Sequence, residues 1–535
     1  MARPPIPEHL YFLRHMFAYI DDGATLYALS RTCRTFREPA TDLIWETLTD
    51  LLPMLVQLPC AERPKGQWHT GVKLVRPPTA ADWTTFRGFS SRVRDLRLDL
   101  KGSYKSFGPS DFDDITLLLD QHPRYLFPNL RSLTLFDNAA ASYFTGRAKY
   151  EQNMMVGWFK DLIQVGPTVL SLHYDLVPFI VPDLPAIKSI RKLTITGSPS
   201  SLEGGVLQEL ALCETVPQLT SLESFSCDMP SWDVLWHLGR LPALQELSVE
   251  LPSRPTLPDG LQKEGAFFSQ LKVLDISQGT HLSIAELFRC SDLGKLTTFS
   301  AKPTYNPGDP IETQVLDLIP HHCRQLQSLC LGQYNCLYPN VHKLAPYWNL
   351  RVLTITLHDS IGSEPWKDYD LVPMIEGLPH LERFYVLDES LRGPDSRPRT
   401  AFTLGALVNL VEGCSKLEHI SMEFDARERS QLKYMSRRKK GGAMRNDSVR
   451  HLSVCNSPAT SRKRLAVILS ELLPHLEVIA AQTDSKHMSL WKGVATRHTN
   501  SPLFRSQTDD AIPRISGPCE GMTLCTLESL GRGSK

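Results

Sequence analysis

The chain has 535 residues, 42% of them apolar, and its 58 Lys and Arg residues are balanced by 58 Asp and Glu residues. Zero net charge gives no electrostatic reason to expect binding to nucleic acid or to a membrane surface. No apolar run reaches the roughly 20 residues of a membrane helix, and Arg14 and His15 interrupt the apolar start of the chain, which argues against a signal peptide. The 12 cysteines are scattered without a CxxC pair, which predicts a reducing compartment, the cytoplasm or the nucleus.

Residues 6–52 predict a compact unit of three amphipathic helices, because apolar residues recur there at intervals of three or four. Breaks are predicted at 21–23 and at Glu38-Pro39, and the third helix is predicted to run over 43–52, up to Pro53. The three apolar faces are Leu10, Leu13, Phe17 and Ile20; Leu26, Leu29, Cys33 and Phe36; and Leu43, Ile44, Leu48, Leu51 and Leu52. A unit of about fifty residues buries little surface, so it would gain stability by docking onto a partner.

From residue 91 onward the chain repeats the pattern apolar-x-x-apolar-x-apolar. Clear copies are NLRSLTL at 129–135 and NLRVLTI at 349–355. Side chains two residues apart in a strand share a face, so Leu133 and Leu135 would enter a core while Thr134 faces away from it. The mean spacing of about 29 residues lies at the upper edge of the range for leucine-rich repeats. The copies begin at Val93, Leu130, Val169, Ile190, Leu222, Leu244, Leu271, Leu296, Leu326, Leu350, Leu381, Leu417, Val449 and Leu476.

The segments between copies predict helices, most clearly at 285–296, 314–326, 403–417 and 466–476, and several are followed by Pro or Gly before the next strand. The predicted fold class is α/β: a short all-helical unit followed by an irregular leucine-rich-repeat solenoid, with parallel strands on the concave face and helices on the convex face. The expected domains are the helical unit at 1–53, linker helices at 54–90 and the repeats at 91–485. A disordered tail is expected at 486–535, apart from one apolar island at 488–491 that could pack on the last repeat.

The segment IPEHLYFLRHMFAYIDDGATLYALSRTCRTFREPATDLIWETL at 6–48 resembles an F-box. The resemblance is carried by Ile6-Pro7, by the run FAYID at 17–21 and by the register Leu26-x-x-Leu29-Ser30-x-x-Cys33, whereas Phe36 stands where the family often has Trp. An F-box followed by leucine repeats is similar to a large group of fungal substrate receptors.

The resemblance implies a non-enzymatic substrate-recognition subunit of an SCF-type ubiquitin ligase. Its F-box would dock on a Skp-family adaptor and through it on a cullin, and its repeats would hold a target protein. The residues implied for the adaptor interface, or for the fold that presents it, are Pro7, Leu10, Leu13, Phe17, Leu26 and Leu29. The alternative is a helical cap on a repeat scaffold that has no ligase role.

The residue between the last two apolar positions of each copy is predicted to face out of the sheet, and it is most often Ser or Thr. Two interpretations stay open: a hydrogen-bonding groove for a polypeptide, or small and β-branched residues that suit a curved sheet. The distinctive candidates for substrate binding are Arg97, His173, Asp275 and Tyr385. A preference of the late repeats for a basic target is suggested by Glu382, Glu418 and Glu423.

Two basic runs, at 437–440 and 462–464, predict either a nuclear localisation signal or a solvated insertion between repeats. The spacing at His321-His322-Cys323 matches no common zinc pattern. The chain contains no P-loop, no dinucleotide-binding glycine motif and no GxSxG elbow. The sequence therefore predicts no enzyme activity, no metal and no cofactor.

Overall fold

The computed structural model describes residues 8–62, 72–99, 126–136, 160, 162–163, 166–197, 202–252, 267–303, 312–332, 341–357, 365–388, 400–427, 429–431, 445–482, 487–498 and 503–507. The chain folds as two compact units, Met1–Leu244 and Gln245–Lys535, called the N-terminal and the C-terminal unit.

The N-terminal unit begins with three helices, α1 (Glu8–Phe17), α2 (Gly23–Thr32) and α3 (Arg34–Glu46). Asp22 caps α2, because its carboxylate accepts hydrogen bonds from the N–H groups of Ala24 and Thr25. Hydrogen bonds from the Thr25 side chain and backbone lower the pKa of Asp22. The helices share a small core of Phe17, Leu26 and Ala40, against which Leu13, Ile20, Leu29, Phe36, Leu43 and Ile44 pack.

The second and third helices differ from the prediction. Cys33 is extended, with φ −153°, so the break lies there and not at Glu38-Pro39. Pro39 lies buried inside α3, where its missing N–H removes one helical hydrogen bond. α3 ends at Glu46 because the next residues form β1 (Thr47–Leu48), which pairs in parallel with β4 (Asp95–Asp99). The helix predicted over 43–52 is therefore wrong beyond residue 46.

The rest of the N-terminal unit alternates strands with helices or loops. After β1 come α4 (Leu52–Leu55), the antiparallel pair β2 (Ala61–Glu62) and β3 (Lys73–Leu74), and α5 (Ala80–Ser90), followed by β4. The remaining elements are β5 (Ser132–Phe136), β6 (Val169–His173), α6 (Val177–Ile180), β7 (Lys192–Thr196), α7 (Leu202–Thr215), β8 (Ser224–Cys227) and α8 (Trp232–Gly239). Each strand from β4 to β8 pairs in parallel with the next, which gives one sheet.

The C-terminal unit continues the same alternation and is again built on one parallel sheet. Its strands are β9 (Glu246–Glu250), β10 (Val273–Gln278), β11 (Thr298–Ala301), β12 (Ser328–Gly332), β13 (Val352–Leu357), β14 (Arg383–Asp388), β15 (His419–Ser421), β16 (His451–Ser453), β17 (Val478–Gln482) and β18 (Leu503–Gln507). Its helices are α9 (His281–Cys290), α10 (Glu312–His322), α11 (Leu371–Gly377), α12 (Leu404–Gly413), α13 (Arg462–Leu472) and α14 (Met488–Ala495). Short 3-10 helices lie at 174–176, 181–186, 216–218 and 341–344.

Strand register confirms the predicted repeat of parallel strands and its apolar pattern. Leu133 and Leu135, for example, are fully buried, and Thr134 between them is not. We call the sheet face that carries Thr134 and its equivalents the polar face of each unit. Strands begin two residues after the first apolar position of each copy, with one exception. β6 begins at Val169 itself, so the buried Pro167 takes the leading position and the copy predicted to start at Val169 is shifted by two residues.

Within the tail that was expected to be disordered, the structure describes α14 (Met488–Ala495) and β18 (Leu503–Gln507), and α14 contains the apolar island at 488–491. Trp491 in α14 is fully buried, its indole N–H donates a hydrogen bond of 2.9 Å to the Ser457 carbonyl, and its ring packs edge-on against Phe424. One buried tryptophan thus secures a segment whose composition is otherwise typical of disorder. Residues 508–535 lie outside the described residues.

Within the described ranges, no helix is both long and apolar enough to cross a membrane. The same residues bring together no three His, Cys, Asp or Glu side chains as a set of metal ligands.

Candidate docking and recognition surfaces

α1 has apolar side chains on two sides. One side holds the core residues Leu13 and Phe17. The other side and the turn after it expose Tyr11 (72%), Phe12 (61%), Met16 (49%) and Tyr19 (77%), which we call the aromatic face. Phe12 and Met16 are spaced at i and i+4 in α1, so they lie on one stripe of the helix surface, and Tyr19 lies in the turn that follows the helix. α2 exposes a further aromatic residue, Tyr27. Exposed apolar groups in this number on a small helical unit indicate a docking surface.

Five of the six residues that the resemblance implied for the adaptor interface lie in the described part of the chain. Phe17 and Leu26 are buried in the core of the three helices, and Leu13 and Leu29 pack against that core. Leu10 is half-buried. Pro7 lies outside the described residues. Leu13, Phe17, Leu26 and Leu29 therefore hold the fold that presents the aromatic face, which is the second of the two roles that the resemblance implied for them.

The three helices are fixed to the rest of the N-terminal unit through α3. Arg92, just after α5, is ion-paired with Glu38 at 2.7 Å and with Asp42. The rings of Trp45 and Phe89 lie 4.7 Å apart, between α3 and α5. With the pairing of β1 and β4, these contacts fix the orientation of the helices relative to the sheet of this unit.

α5, which receives these contacts, starts at a capping box. Thr79 and Asp82 exchange side-chain and backbone hydrogen bonds. The Arg76 guanidinium lies 2.6 Å from the buried Asp82 carboxylate. The hydrogen bonds from Arg76 and then from Thr79 hold the pKa of Asp82 well below its usual range. α5, which contacts α3, thus begins at a buried carboxylate that is both ion-paired and hydrogen-bonded.

On the polar face of the N-terminal unit, Arg97 is exposed and ion-paired with Asp95 at 2.7 Å. Because of the shift in β6, it is Ser171 that pairs with Thr134 and Thr194, and His173 lies one row further along. His173 was predicted to lie between the last two apolar positions of its copy, in the row of Thr134, which we call the central row. This prediction is therefore wrong.

The contacts of His173 are local. Its Nδ1 lies 3.4 Å from the Asp175 backbone N–H, which donates to it, at the start of a 3-10 helix. A Cβ added to Gly197 would lie 2.5 Å from His173 Nε2, so a larger residue would collide with the imidazole. Gly197 also has φ +92°. This close approach to a glycine is a packing role, which accounts for His173 without a ligand.

On the polar face of the C-terminal unit, Asp275 accepts a hydrogen bond of 3.1 Å from the Ser248 hydroxyl, and burial raises the pKa of its carboxyl. Tyr385 is 7% exposed, and burial raises the pKa of its hydroxyl. The central-row residues Ser300 and Thr354 are also buried. These side chains offer little surface to a bulky ligand, which supports the packing interpretation of the Ser and Thr row here.

At the edge where the strands of the C-terminal unit begin, loop residues form a polar cleft of about 370 Å³. Its lining comes from four successive repeats and comprises Gln325, Gln327, Asn349, Arg351, His380, Glu382 and Lys416. The Arg351 guanidinium lies 3.2 Å from the Glu382 carboxylate, and Lys416 Nζ lies 3.2 Å from His380 Nδ1. Because Glu382 is already neutralised by Arg351, it gives no support to the expected preference for a basic target.

Two histidines on neighbouring strands stack on the polar face of the C-terminal unit. The ring centroids of His419 and His451 are 4.4 Å apart, and the ring planes are within 2° of parallel. Burial, then His451, then Arg383 lower the pKa of His419 to about 4. Sequence reasoning missed this pair, because the two residues are 32 positions apart and only the register of β15 and β16 brings them together.

The basic run at 437–440 lies outside the described residues. Arg462, Lys463 and Arg464 form the exposed first turn of α13. Their exposure fits both a localisation signal and a solvated helix end, so the localisation signal stays a prediction.

No protein-family model matches this sequence, and no curated protein matches it either. Among solved structures, the chain is similar to a chain in the crystal structure of the Rad7 and Elc1 complex in yeast. The sequence identity is 11%, the TM-score is 0.33, and the match covers 94% of each chain. A likeness at this level carries no conclusion about function, so the function has to be argued from the residues of this chain.

Proposed function

We propose that this chain is a substrate-recognition subunit of an SCF-type ubiquitin ligase. In this proposal the three N-terminal helices are an F-box that docks on a Skp-family adaptor, and through it on a cullin. The leucine-rich repeats bind a target protein, and the chain itself catalyses no reaction. Its contribution to ubiquitin transfer is to raise the effective concentration of a target lysine near the ligase.

The observation that carries the proposal is the aromatic face of α1. A chain segment that resembles an F-box exposes Tyr11, Phe12, Met16 and Tyr19, while Phe17, Leu26 and Ala40 form its core. Large exposed side chains of this kind cost solubility unless a partner covers them. Tyr, Phe and Met are also among the residues enriched at protein interfaces.

One observation favours the alternative, a helical cap on a repeat scaffold. β1 follows α3 directly and pairs with β4, so the helices are continuous with the first strand of the sheet. A cap, however, needs a polar outer face. The exposed Phe12 and Tyr19 contradict that requirement, which is why we prefer the docking role.

The proposed role suits the cytoplasm or the nucleus, where ubiquitin ligases of this type would meet their targets. The cysteines in the described part of the chain are free thiols, which supports a reducing compartment.

The proposal is tested by co-expressing the full chain with a Skp-family adaptor and purifying it through a tag on this chain. Recovery of the adaptor in a one-to-one complex, and then of a cullin added to that complex, is the expected result. A folded chain that recovers no adaptor would leave the cap and scaffold interpretation. Deleting residues 1–53 is a poor control, because the deletion also removes β1 and exposes the edge of β4.

A further inference from the structure

The C-terminal unit places three basic side chains in one row. Arg383, His419 and His451 are the first residues of β14, β15 and β16, and the register pairs each with the next. Neighbouring strands are about 4.8 Å apart, so the row is compact. The residues that follow them, Phe384, Ile420 and Leu452, are buried in the core. Because successive side chains in a strand alternate between the two faces, the basic row lies on the polar face.

The geometry of this row is fixed by the backbone of the sheet. His419 and His451 are half-buried, and their rings stack almost parallel with centroids 4.4 Å apart. Arg383 is also half-buried. Long side chains on a mobile loop lose entropy when they bind, whereas rings held on adjacent strands are already positioned.

The charges that act on His419 are cationic. His451 and Arg383 both lower its pKa, in addition to burial. Two of the carboxylates at this edge of the sheet lie beside arginines: Glu382 pairs with Arg351, and Glu477 lies 3.6 Å from the Arg450 guanidinium. A third, Glu418, is exposed to solvent.

Within the described residues, the next positions on the polar face add no charge at neutral pH: Tyr385 follows on β14 with a raised pKa, and Val478 takes the same position on β17. His419, with its low pKa, is uncharged at neutral pH, so Arg383 is the fixed cation of the row. It lies in partly desolvated surroundings, where an anion would be held more strongly than at an open surface.

We infer that Arg383, His419 and His451 form an oxyanion-binding site. Resting on the proposed function, we assign its ligand as a phosphoryl or carboxylate group on the polypeptide held by the repeats. The Arg guanidinium offers a planar set of donors that matches two oxygens of such a group. Each imidazole can add one N–H donor when neutral and two when protonated.

Binding of the anion and protonation of the histidines are linked. An anion beside the row favours imidazolium, so it raises the pKa of His419 from its low value. By reciprocity, the site binds an anion more tightly as the pH falls. Sulfate is a suitable probe, because its charge stays constant between about pH 5 and 8 and any change in affinity then reports on the protein.

The experiment titrates sulfate into the full chain with ¹³C-labelled histidine rings, at pH 7 and at pH 5. We expect the His419 and His451 signals to shift together, with affinity about tenfold higher at pH 5 than at pH 7, which corresponds to a rise of about two units in the pKa of His419 from its value of about 4. Arg383→Gln and His451→Gln should each weaken binding. The matched control is His321→Gln, an exposed histidine of the same unit whose Nδ1 lies 2.7 Å from the Asp317 carbonyl oxygen. It should leave sulfate binding unchanged.

Sulfate that moves neither histidine signal at pH 5 would overturn the site, and so would equal binding by a folded Arg383→Gln chain. A second titration with N-acetyl-phosphoserine amide and N-acetyl-glutamate amide identifies the source of the oxyanion. Tighter binding of the first assigns a phosphoryl group, and comparable binding assigns a carboxylate. Binding of sulfate but of neither amino acid would refute the polypeptide ligand. Adaptor recovery is measured separately, so a failure of the anion site is distinct from a failure of the proposed ligase role.

Discussion

Replacing Trp491 by Ala tests whether α14 is an integral part of the C-terminal unit. The indole is fully buried, packs edge-on against Phe424 and donates its N–H to the carbonyl oxygen of Ser457 at 2.9 Å. The substitution therefore removes a large buried ring and leaves a buried carbonyl without this donor. The segment around this apolar island was expected to be disordered from its composition, so the size of the effect measures how much one side chain of the island contributes.

The magnitude follows from these two losses. Truncating a buried aromatic residue to Ala costs about 3–5 kcal/mol, and an unsatisfied buried acceptor costs about 1–3 kcal/mol. Because the two losses share one site they do not simply add, and we expect about 4–6 kcal/mol for Trp491→Ala. Trp491→Phe keeps most of the ring contact and loses the donor, so we expect about 1–3 kcal/mol.

Hydrogen exchange of the full chain, read by mass spectrometry on β16, β17 and α14, is the appropriate assay, because a chain with two units need not unfold in one transition. Trp491→Ala should greatly accelerate exchange in these elements and leave the N-terminal unit unchanged. The matched control is Lys492→Ala, an exposed neighbour in the same helix, for which we expect a change within about 0.5 kcal/mol. Equal exchange in the two variants would refute the reasoning.

Three further predictions concern other parts of the chain. Phe17→Ala should destabilise the three N-terminal helices by about 3–5 kcal/mol, seen as early local melting in hydrogen exchange, because Phe17 is a core residue; a chain with unchanged protection would contradict this. Gly377→Ala should lower the urea midpoint of the C-terminal unit, because a Cβ there would lie 2.2 Å from the Ala345 carbonyl oxygen, whereas Gly88→Ala in α5 meets no atom within 4 Å and should be neutral or stabilising. His419 binds fewer protons in the folded chain than in the unfolded chain between about pH 6.5 and 4, so the stability falls as the pH drops through that window. His419→Gln should remove about 1–2 kcal/mol of this loss, a value reduced because the side chain is partly exposed. Identical acid-unfolding curves for the two chains would contradict this prediction.

The apolar pattern predicted most of the sheet, because burial of two residues per strand leaves a clear period of two in the sequence. It failed in β6 because Tyr174 is also buried, in a 3-10 helix, so a copy read from Val169 to Tyr174 satisfies the pattern as well as the correct one does. It also missed β1, because Leu48 continues the helical spacing of the residues before it. Pairing with β4 decides the conformation there, and pairing is a tertiary effect.

The candidate surfaces were less predictable than the fold. The core face of α1 was predicted correctly at Leu13 and Phe17, but the exposed Tyr11, Phe12 and Met16 were not recognised as a second apolar side. Their positions were visible in the sequence, but periodicity identifies a core face and does not say whether a second apolar side meets a partner. The basic row at His419 and His451 depends on strand register across about 30 residues, which no local pattern records.

The central claim is that the aromatic face of α1 binds the adaptor, and the most direct measurement is the affinity of the full chain for a Skp-family adaptor. The variant Phe12→Ala/Met16→Ala/Tyr19→Ala removes three exposed side chains without entering the core. At about 1 kcal/mol or more for each contact, we expect binding to weaken about 100-fold.

The matched control is Leu207→Ala/Leu210→Ala, which removes exposed apolar side chains from α7 in the same unit. It should bind the adaptor like the unchanged chain. If the α1 variant, folded as judged by hydrogen exchange, binds the adaptor as tightly as this control, or if the unchanged chain binds no adaptor at all, the account is contradicted.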